Sequence, residues 1–372
     1  MSAAVNTAGG PEVEQAMVER GTVQASGRAH APGGKKRVEV LAEGRARQLY
    51  SGAAWSIGSA QGPVDRGWLG ARSWGGAELD GTDLWDLASV TKPVVGLVVM
   101  ALADGGALSP ADTVGAHLPR FRDTDKAPLT VADLLTHTSG LPGQVPMYRS
   151  HPTRESLLSA LGTLPLRSAP GQRVEYSSQG FMLLGLIAEH AAGQGLDALV
   201  AELVCRPLGL EDTGFAPAAA DRMRAVATEE CPWRGRTVVG EVHDENAAVL
   251  GGIAGHAGLF ATLADTERLA IAMAGGAREL LRPETFSLMT APHTDGLNLR
   301  RGLAWQGQDP VGSPVGPSFG PASYGHTGFT GTSLWIDPDT GRYAVLLTNR
   351  VHPTREVSGI AELRREFHSA AG

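Results

Sequence analysis

Only two cysteines, Cys205 and Cys231, occur in 372 residues. Two thiols cannot build a disulfide framework, and in a reducing compartment they stay free. Lysine is nearly as scarce, with four residues against 28 arginines, and Lys35-Lys36-Arg37 is an isolated basic run. At a net charge of −7, nothing in the chain suggests a nucleic-acid or anionic-membrane surface. No apolar run reaches the ~18 residues that a transmembrane helix needs. Residues 1–30 lack the charged start and apolar stretch of a signal peptide, so a cytoplasmic location is expected. Walker loop, Gly-x-Gly-x-x-Gly and His-Glu-x-x-His are all missing, so no cofactor or metal is expected. What is present is an ordinary globular composition, 42% hydrophobic and 19% charged, with length for a sizeable core.

The scarcity of lysine makes one of the four conspicuous. Ser89-Val90-Thr91-Lys92 is the single Ser-x-x-Lys of the chain, and residues 93–103 after it are almost all apolar. Such a segment reads as a helix inside a core, where a lysine in the first turn is expensive unless it has work to do. Residues three apart share a helix face, which makes the hydroxyl and the amine neighbours. Serine is a poor nucleophile until its proton is removed. An unperturbed lysine, at pKa ~10.4, holds its own proton too firmly to serve as that base. Apolar surroundings or a second cation bring such an amine into range, or the charged amine activates a nearby phenol instead. Pro93 is tolerated in a first turn, and a helix N-terminus offers N–H groups to a developing oxyanion. The same spacing also suits a helix cap by Ser89 with Lys92 reaching solvent.

Residues 1–37 read as a short helix (13–19) followed by a Gly/Ala/Pro-rich, flexible arm. The remainder, 38–372, reads as one catalytic unit, with an α/β lobe (38–106 and 299–372) and a helical lobe (107–298). Strands are expected at 50–60 and 68–74, punctuated by Gly62-Pro63, and a long apolar helix from 89 to 104. Helical periodicity follows at 131–136, 154–161, 180–192, 196–204, 265–273 and 283–289. The chain then returns to strands at 303–306, 332–336 and 342–348 and closes on a helix at 358–370. Strands at both ends of a helical middle imply an α/β fold with an all-α insertion, the helices at 89 and at the C-terminus lying on the sheet.

Two further stretches can carry chemistry. Tyr176, in Glu175-Tyr176-Ser177-Ser178, falls in a loop at a helix entry, where a phenol can enter a cleft. In Tyr324-Gly325-His326-Thr327-Gly328, flanking glycines let backbone N–H groups approach a bound carbonyl. Taken alone, either residue is more often explained by ordinary packing. Gly316-Pro317-Ser318-Phe319-Gly320 imitates a nucleophile elbow, but Pro314, Pro317 and Pro321 make it a loop. His243-Asp244-Glu245 has no partner pair for a metal, and the glycines of 251–258 are spaced wrongly for a dinucleotide.

Together these motifs resemble the serine β-lactamase and penicillin-binding-protein family, nearest to its class C β-lactamase and family VIII esterase branch. The resemblance runs over roughly residues 48–360 with the motifs in the family's order. It includes Leu134-Leu135-Thr136-His137-Thr138-Ser139-Gly140-Leu141-Pro142 and Gly255-His256-Ala257-Gly258-Leu259-Phe260. It implies an antiparallel sheet flanked by helices, a helical lobe, and a cleft between them. Ser89 would be the nucleophile, Lys92 its activating partner and Tyr176 the proton carrier. The backbone N–H groups of Ser89 and Phe329 would form the oxyanion hole, and Ser178, Thr327 and Gly328 would contact substrate. Two positions depart from the family. Tyr176-Ser177-Ser178 replaces Tyr-x-Asn, and His326-Thr327-Gly328 replaces Lys-Thr-Gly, exchanging a fixed cation for a group that is neutral at most cellular pH values. The implied activity is esterase-like hydrolysis of ester or amide bonds in a small molecule, ester or activated-acyl substrates fitting better because both departures count against β-lactam and carboxypeptidase substrates. Alternatives are acyl transfer to an amine acceptor, as in cytosolic members serving antibiotic and other natural-product assembly, and β-lactamase or D-amino-acid peptidase activity.

Overall fold

Strands from both ends of the chain meet in one sheet. The computed structural model describes residues 23–25 and 34–371. Among them seven strands pair antiparallel: β1 (Val23–Ala25), β2 (Gly52–Ser59), β3 (Gly62–Gly70), β4 (Gln306–Gly307), β5 (Tyr324–Thr327), β6 (Ser333–Asp337) and β7 (Arg342–Thr348). Their spatial order is β1-β3-β2-β7-β6-β5-β4. The expected antiparallel α/β architecture is present.

Side chains of the central strands alternate between two cores, as a period of two requires. Leu334, Ile336, Tyr343, Val345 and Leu347 join the larger core, which also holds α2 (Thr91–Asp104), α3 (Ser178–Ala192) and α4 (Leu263–Ala274). Trp55, Trp335, Ala344 and Leu346 face the other way, onto Leu41 of α1 (Gly34–Ala46) and Leu363 and Phe367 of α5 (Ile360–Ser369). Burial on both faces explains why β6 and β7 read as nearly continuous apolar runs. The helix laid across β2, β6 and β7 is α4, whereas α2 packs chiefly on α3 in the interior. None of the described helices is long and apolar enough to cross a membrane.

Several expectations are corrected. The helix at 13–19 lies outside the described residues. Residues 23–25 and 34–37, read as part of a flexible arm, form the edge strand β1 and the first turn of α1. Arg37 holds that turn in place, its guanidinium on Asp65 at 2.6 Å and on the Ala370 carbonyl at 2.6 Å. Gly62-Pro63 does not interrupt a strand. The turn is at residues 60–61, and Pro63 opposes Gly58 where the register shifts, a position that needs no ladder N–H. The strand expected at 303–306 shrinks to Gln306–Gly307, because Leu303 and Ala304 donate instead to the Met289 and Leu135 carbonyls at helix ends.

Candidate active site

Ser89 stands on a single 3-10 turn, Ala88–Val90, that runs directly into α2. The turn is strained, since Ala88 holds φ at 47°, and Asp86 pins it by accepting the Ala88 N–H at 2.8 Å. Ser89 does not cap the helix. Val90 is its N-cap, and the cap carries no side-chain hydrogen bond. Nor does Lys92 reach solvent: its side chain is fully buried. Its Nζ donates to Ser89 Oγ and to the His256 carbonyl, both at 3.0 Å. The same amine lies 4.8 Å from the ring centre of Tyr176.

Tyr176 is held from two sides. The His137 ring lies 4.7 Å away and the His326 ring 5.9 Å away. His137 adopts φ 60°, and its Nδ1 accepts the Ser177 N–H at 3.1 Å, so the backbone next to Tyr176 is fixed. Burial, with Arg301, Lys92 and His326 nearby, keeps His137 well below the usual imidazole range, which makes Nδ1 an acceptor. Ser177 caps α3 by accepting the Gly180 N–H and donating to the Pro142 carbonyl. The sequence singles out His137 only as part of a family marker. Its positioning role depends on a left-handed backbone that no local pattern announces.

The strand β5 brings His326, Thr327 and Gly328 alongside Ser89. A Cβ on Gly328 would lie 2.6 Å from the Leu87 carbonyl, so only glycine permits this approach. Thr330 and Thr332 fasten the following turn by donating to the Asp86 and Leu87 carbonyls at 2.8 and 2.9 Å. This leaves Phe329 beside Ser89 with a backbone N–H that makes no hydrogen bond among the described residues. His326 donates from Nδ1 to the Thr327 carbonyl at 2.8 Å, and burial plus Lys92 lower its pKa to about 3. Its Nε2 is therefore a neutral acceptor.

Two cavities meet at Ser89. One, of about 280 Å³, is lined by Tyr176, His326, Thr327, Gly328 and Phe329 and by residues the sequence does not flag, chiefly Arg301, Arg350 and Arg364. The other, of about 230 Å³, is lined by Ser178, Tyr148, Asn246, Asp244 and Glu245. All eight predicted site residues thus gather at one place, with Ser178 in the second cavity. The remaining motifs serve the scaffold. His256 joins Asp244 at 3.0 Å. Although burial opposes its charge, Asp244 is held below the usual carboxylate range by His256, the Ala247 N–H and Lys92. His243 joins Glu229, and Arg355 bridges Glu229 and Glu245, two carboxylates that lie within 4.8 Å of each other and of the Cys231 sulfur. Ser318, the serine of the false elbow, donates to the Ser369 carbonyl at the end of α5.

With this geometry in place, comparison with known proteins fits the same picture. The family model for β-lactamase matches residues 38–369. A protein of Escherichia coli K12 named as a D-alanyl-D-alanine carboxypeptidase is 33% identical over 306 residues, covering 72% of this chain and 69% of its own. An N-acetylmuramyl-L-alanine amidase of Bacillus subtilis 168 is 33% identical over 308 residues, covering 74% and 70%. EstCE1, described as a hydrolase with promiscuous acyltransferase activity, superposes with a TM-score of 0.75 at 20% identity over 91% of this chain and 98% of its own. A penicillin-binding-protein homologue of Caulobacter crescentus gives 0.74 at 21% identity over 94% and 99%. These two structural likenesses concern the fold alone. On the family match and the identity to its relatives, the chain belongs to the β-lactamase family of serine hydrolases.

Proposed function

We propose that the protein is a serine acyl-enzyme hydrolase that cleaves an amide or ester bond in a small molecule. The observation that carries this reading is the buried Lys92 amine, bonded to Ser89 Oγ at 3.0 Å and set against the Tyr176 ring. Because Lys92 donates to the serine oxygen, the Ser89 hydroxyl hydrogen is free to turn toward an acceptor. Ser89 Oγ attacks the substrate carbonyl, and its proton passes to the Lys92–Tyr176 pair. The carbonyl oxygen becomes an oxyanion between the N–H groups of Ser89 and Phe329, each such donor being worth about 3 kcal/mol. Collapse breaks the bond to the leaving group, which takes the proton from the pair. Water then attacks the acyl-enzyme along the same path in reverse and releases the acid.

The names of the two relatives at 33% identity favour amides over esters. The test is product analysis by mass spectrometry with matched N-acyl amino acid and p-nitrophenyl ester substrates, with and without added amines. Free acid from both substrates, at a rate independent of amine, is the expected result. Amide product with faster ester consumption would replace the hydrolase reading by a transacylase.

A further inference from the structure

The cavity beside His326 is lined by three arginines, Arg301, Arg350 and Arg364, contributed by three separate segments. Buried or partly buried cations ordinarily sit against carboxylates, because leaving one unpaired costs several kcal/mol. Here the pairing is almost absent. The sole carboxylate contact among the described residues is from Arg301 to Asp309, and at 3.9 Å it is at the limit of an ion pair. Arg350 bonds only carbonyl oxygens, those of Phe329, Arg355 and Val357. Arg364, only 8% exposed, donates from Nη2 to the Gly328 and Thr332 carbonyls, and its Nε is buried with no partner.

The charges around these groups offset one another only in part. Burial and Arg350 lower the Arg364 pKa to about 9, and burial and Arg355 lower that of Arg350 against Glu229 and Glu356. Burial lowers that of Arg301 too, opposed by Asp309 and Tyr176. His326, neutral and donating to the Thr327 carbonyl, adds no negative charge. Three guanidinium groups with a single ion-pair contact among them, and that at 3.9 Å, are open to anions supplied from outside.

We propose that this cavity is an acidic-group subsite that takes two negative charges, and that the leaving group of the substrate is a dicarboxylic amino acid. Two guanidinium groups, Arg350 and Arg364, have no carboxylate in ion-pair contact, and two carboxylates would supply one to each, whereas one would leave a guanidinium without it. A cavity of about 280 Å³ accommodates a single amino-acid residue of that kind. The same arginines answer the loss of the lysine at position 326: the fixed positive charge is moved from β5 to the segments around it. Arg350 also ties the subsite to the chemistry, since its guanidinium lies 4.2 Å above the Phe329 ring and its Nε holds the Phe329 carbonyl at 2.8 Å. Only the identity of the leaving group rests on the hydrolase reading. The anion subsite itself does not.

Calorimetric titration of the Ser89→Ala protein tests the subsite without requiring turnover. The probes are glutarate with two carboxylates, butyrate with one, glutaramide with none, and inorganic phosphate. Glutarate is expected to bind at least ~10-fold more tightly than butyrate, and glutaramide not measurably. Arg301→Gln is expected to weaken glutarate ~10-fold, and Arg301→Lys to restore part of the loss. Equal binding of glutarate and glutaramide overturns the anion subsite, and equal binding of glutarate and butyrate overturns the requirement for two charges. Phosphate binding more tightly than glutarate overturns the dicarboxylic assignment in favour of a phosphate group. Because the four probes are compared on one protein, the test stands even where an arginine variant fails to fold. Should glutarate bind as expected while N-acyl glutamate is not hydrolysed by the wild-type protein, the catalytic reading fails and the subsite survives.

Discussion

Phe329 touches two charged clusters assembled on opposite terms. On one side its ring stacks 5.8 Å from His243, part of a group in which His243 joins Glu229 and Arg355 donates to both Glu229 and Glu245. Its ring also lies under Arg350, one of three arginines that share a single ion-pair contact with a carboxylate, at 3.9 Å. Both clusters are built largely from long-range contacts, and both adjoin Ser89. The difference between them is closure. In the first cluster each charge has its counterpart within the chain, so it fixes the loops of the second cavity relative to Ser89. The second is left open, and an open charge cluster next to a nucleophile is a place for substrate.

The contrast can be broken by mutation, beginning where the largest effect is expected. Ser89→Ala should reduce turnover by at least ~10³-fold while leaving the anion affinity of the arginine cavity unchanged. Lys92→Ala should cost a similar factor, and the double variant little more, because the pair acts as one unit. Steady-state rates for the three variants decide this, and near-normal rates in either single variant would remove the pair from the mechanism. Next, Arg355→Met should lower stability by about 3 kcal/mol, since it strands the buried carboxylate of Glu229. Arg301→Gln, which removes a poorly paired cation, should change stability by less than about 1 kcal/mol. Urea unfolding of the two variants measures both, and equal losses would mean that the clusters do not differ as described.

Acid should weaken the fold in two stages. Burial holds His326 and His368 at about 3, with the cations Lys92 and Arg364 respectively assisting. An unfolded chain protonates both near pH 6.5, so it binds more protons than the native state once pH falls below that value. Stability is therefore full above that pH and declines below it, by up to about 2.7 kcal/mol per pH unit from the two groups together. Glu229 works in the carboxylate range. Although burial opposes its charge, His243 and Arg355 bring its pKa down to about 2, so its contribution is present above pH 4.5 and is lost as pH falls toward 2. Denaturant midpoints measured between pH 7.5 and 4 check the first stage, and a flat profile from 6.5 to 5 would show these histidines to be accessible to protons. The smallest expected effect belongs to Thr332→Val, which removes the hydroxyl bond to the Leu87 carbonyl and should cost about 1 kcal/mol. Thermal unfolding resolves a loss of that size.

The pairing of Ser89 with Lys92 was legible because it is local: a spacing of three on a helix, in a chain with few lysines. Tyr176 and His326 needed the family resemblance as well, since a tyrosine at a helix entry and a histidine between glycines have commoner structural explanations. The arginines left no trace. They stand at 301, 350 and 364 in a chain with 28 of their kind, and only the fold brings them to one cavity. The two-faced burial of the sheet was visible in the apolar runs of β6 and β7. The helix α1 was not, because Leu41 is its single fully buried apolar residue, Val38 and Val40 pack only partly against the outer core, and most of the rest is polar. The apolar run at 303–306 misled because its backbone hydrogen bonds go to helix ends, a destination that composition does not encode.

The central claim is that Ser89 carries the acyl group, and covalent trapping tests it most directly. The wild-type protein would be incubated with a fluorophosphonate or a slowly deacylating p-nitrophenyl ester, and its intact mass and peptide map recorded. One adduct per chain, on the peptide containing Ser89 and absent from Ser89→Ala, is the predicted result. An adduct on Ser318 or elsewhere, or equal labelling of the Ser89→Ala protein, would contradict it.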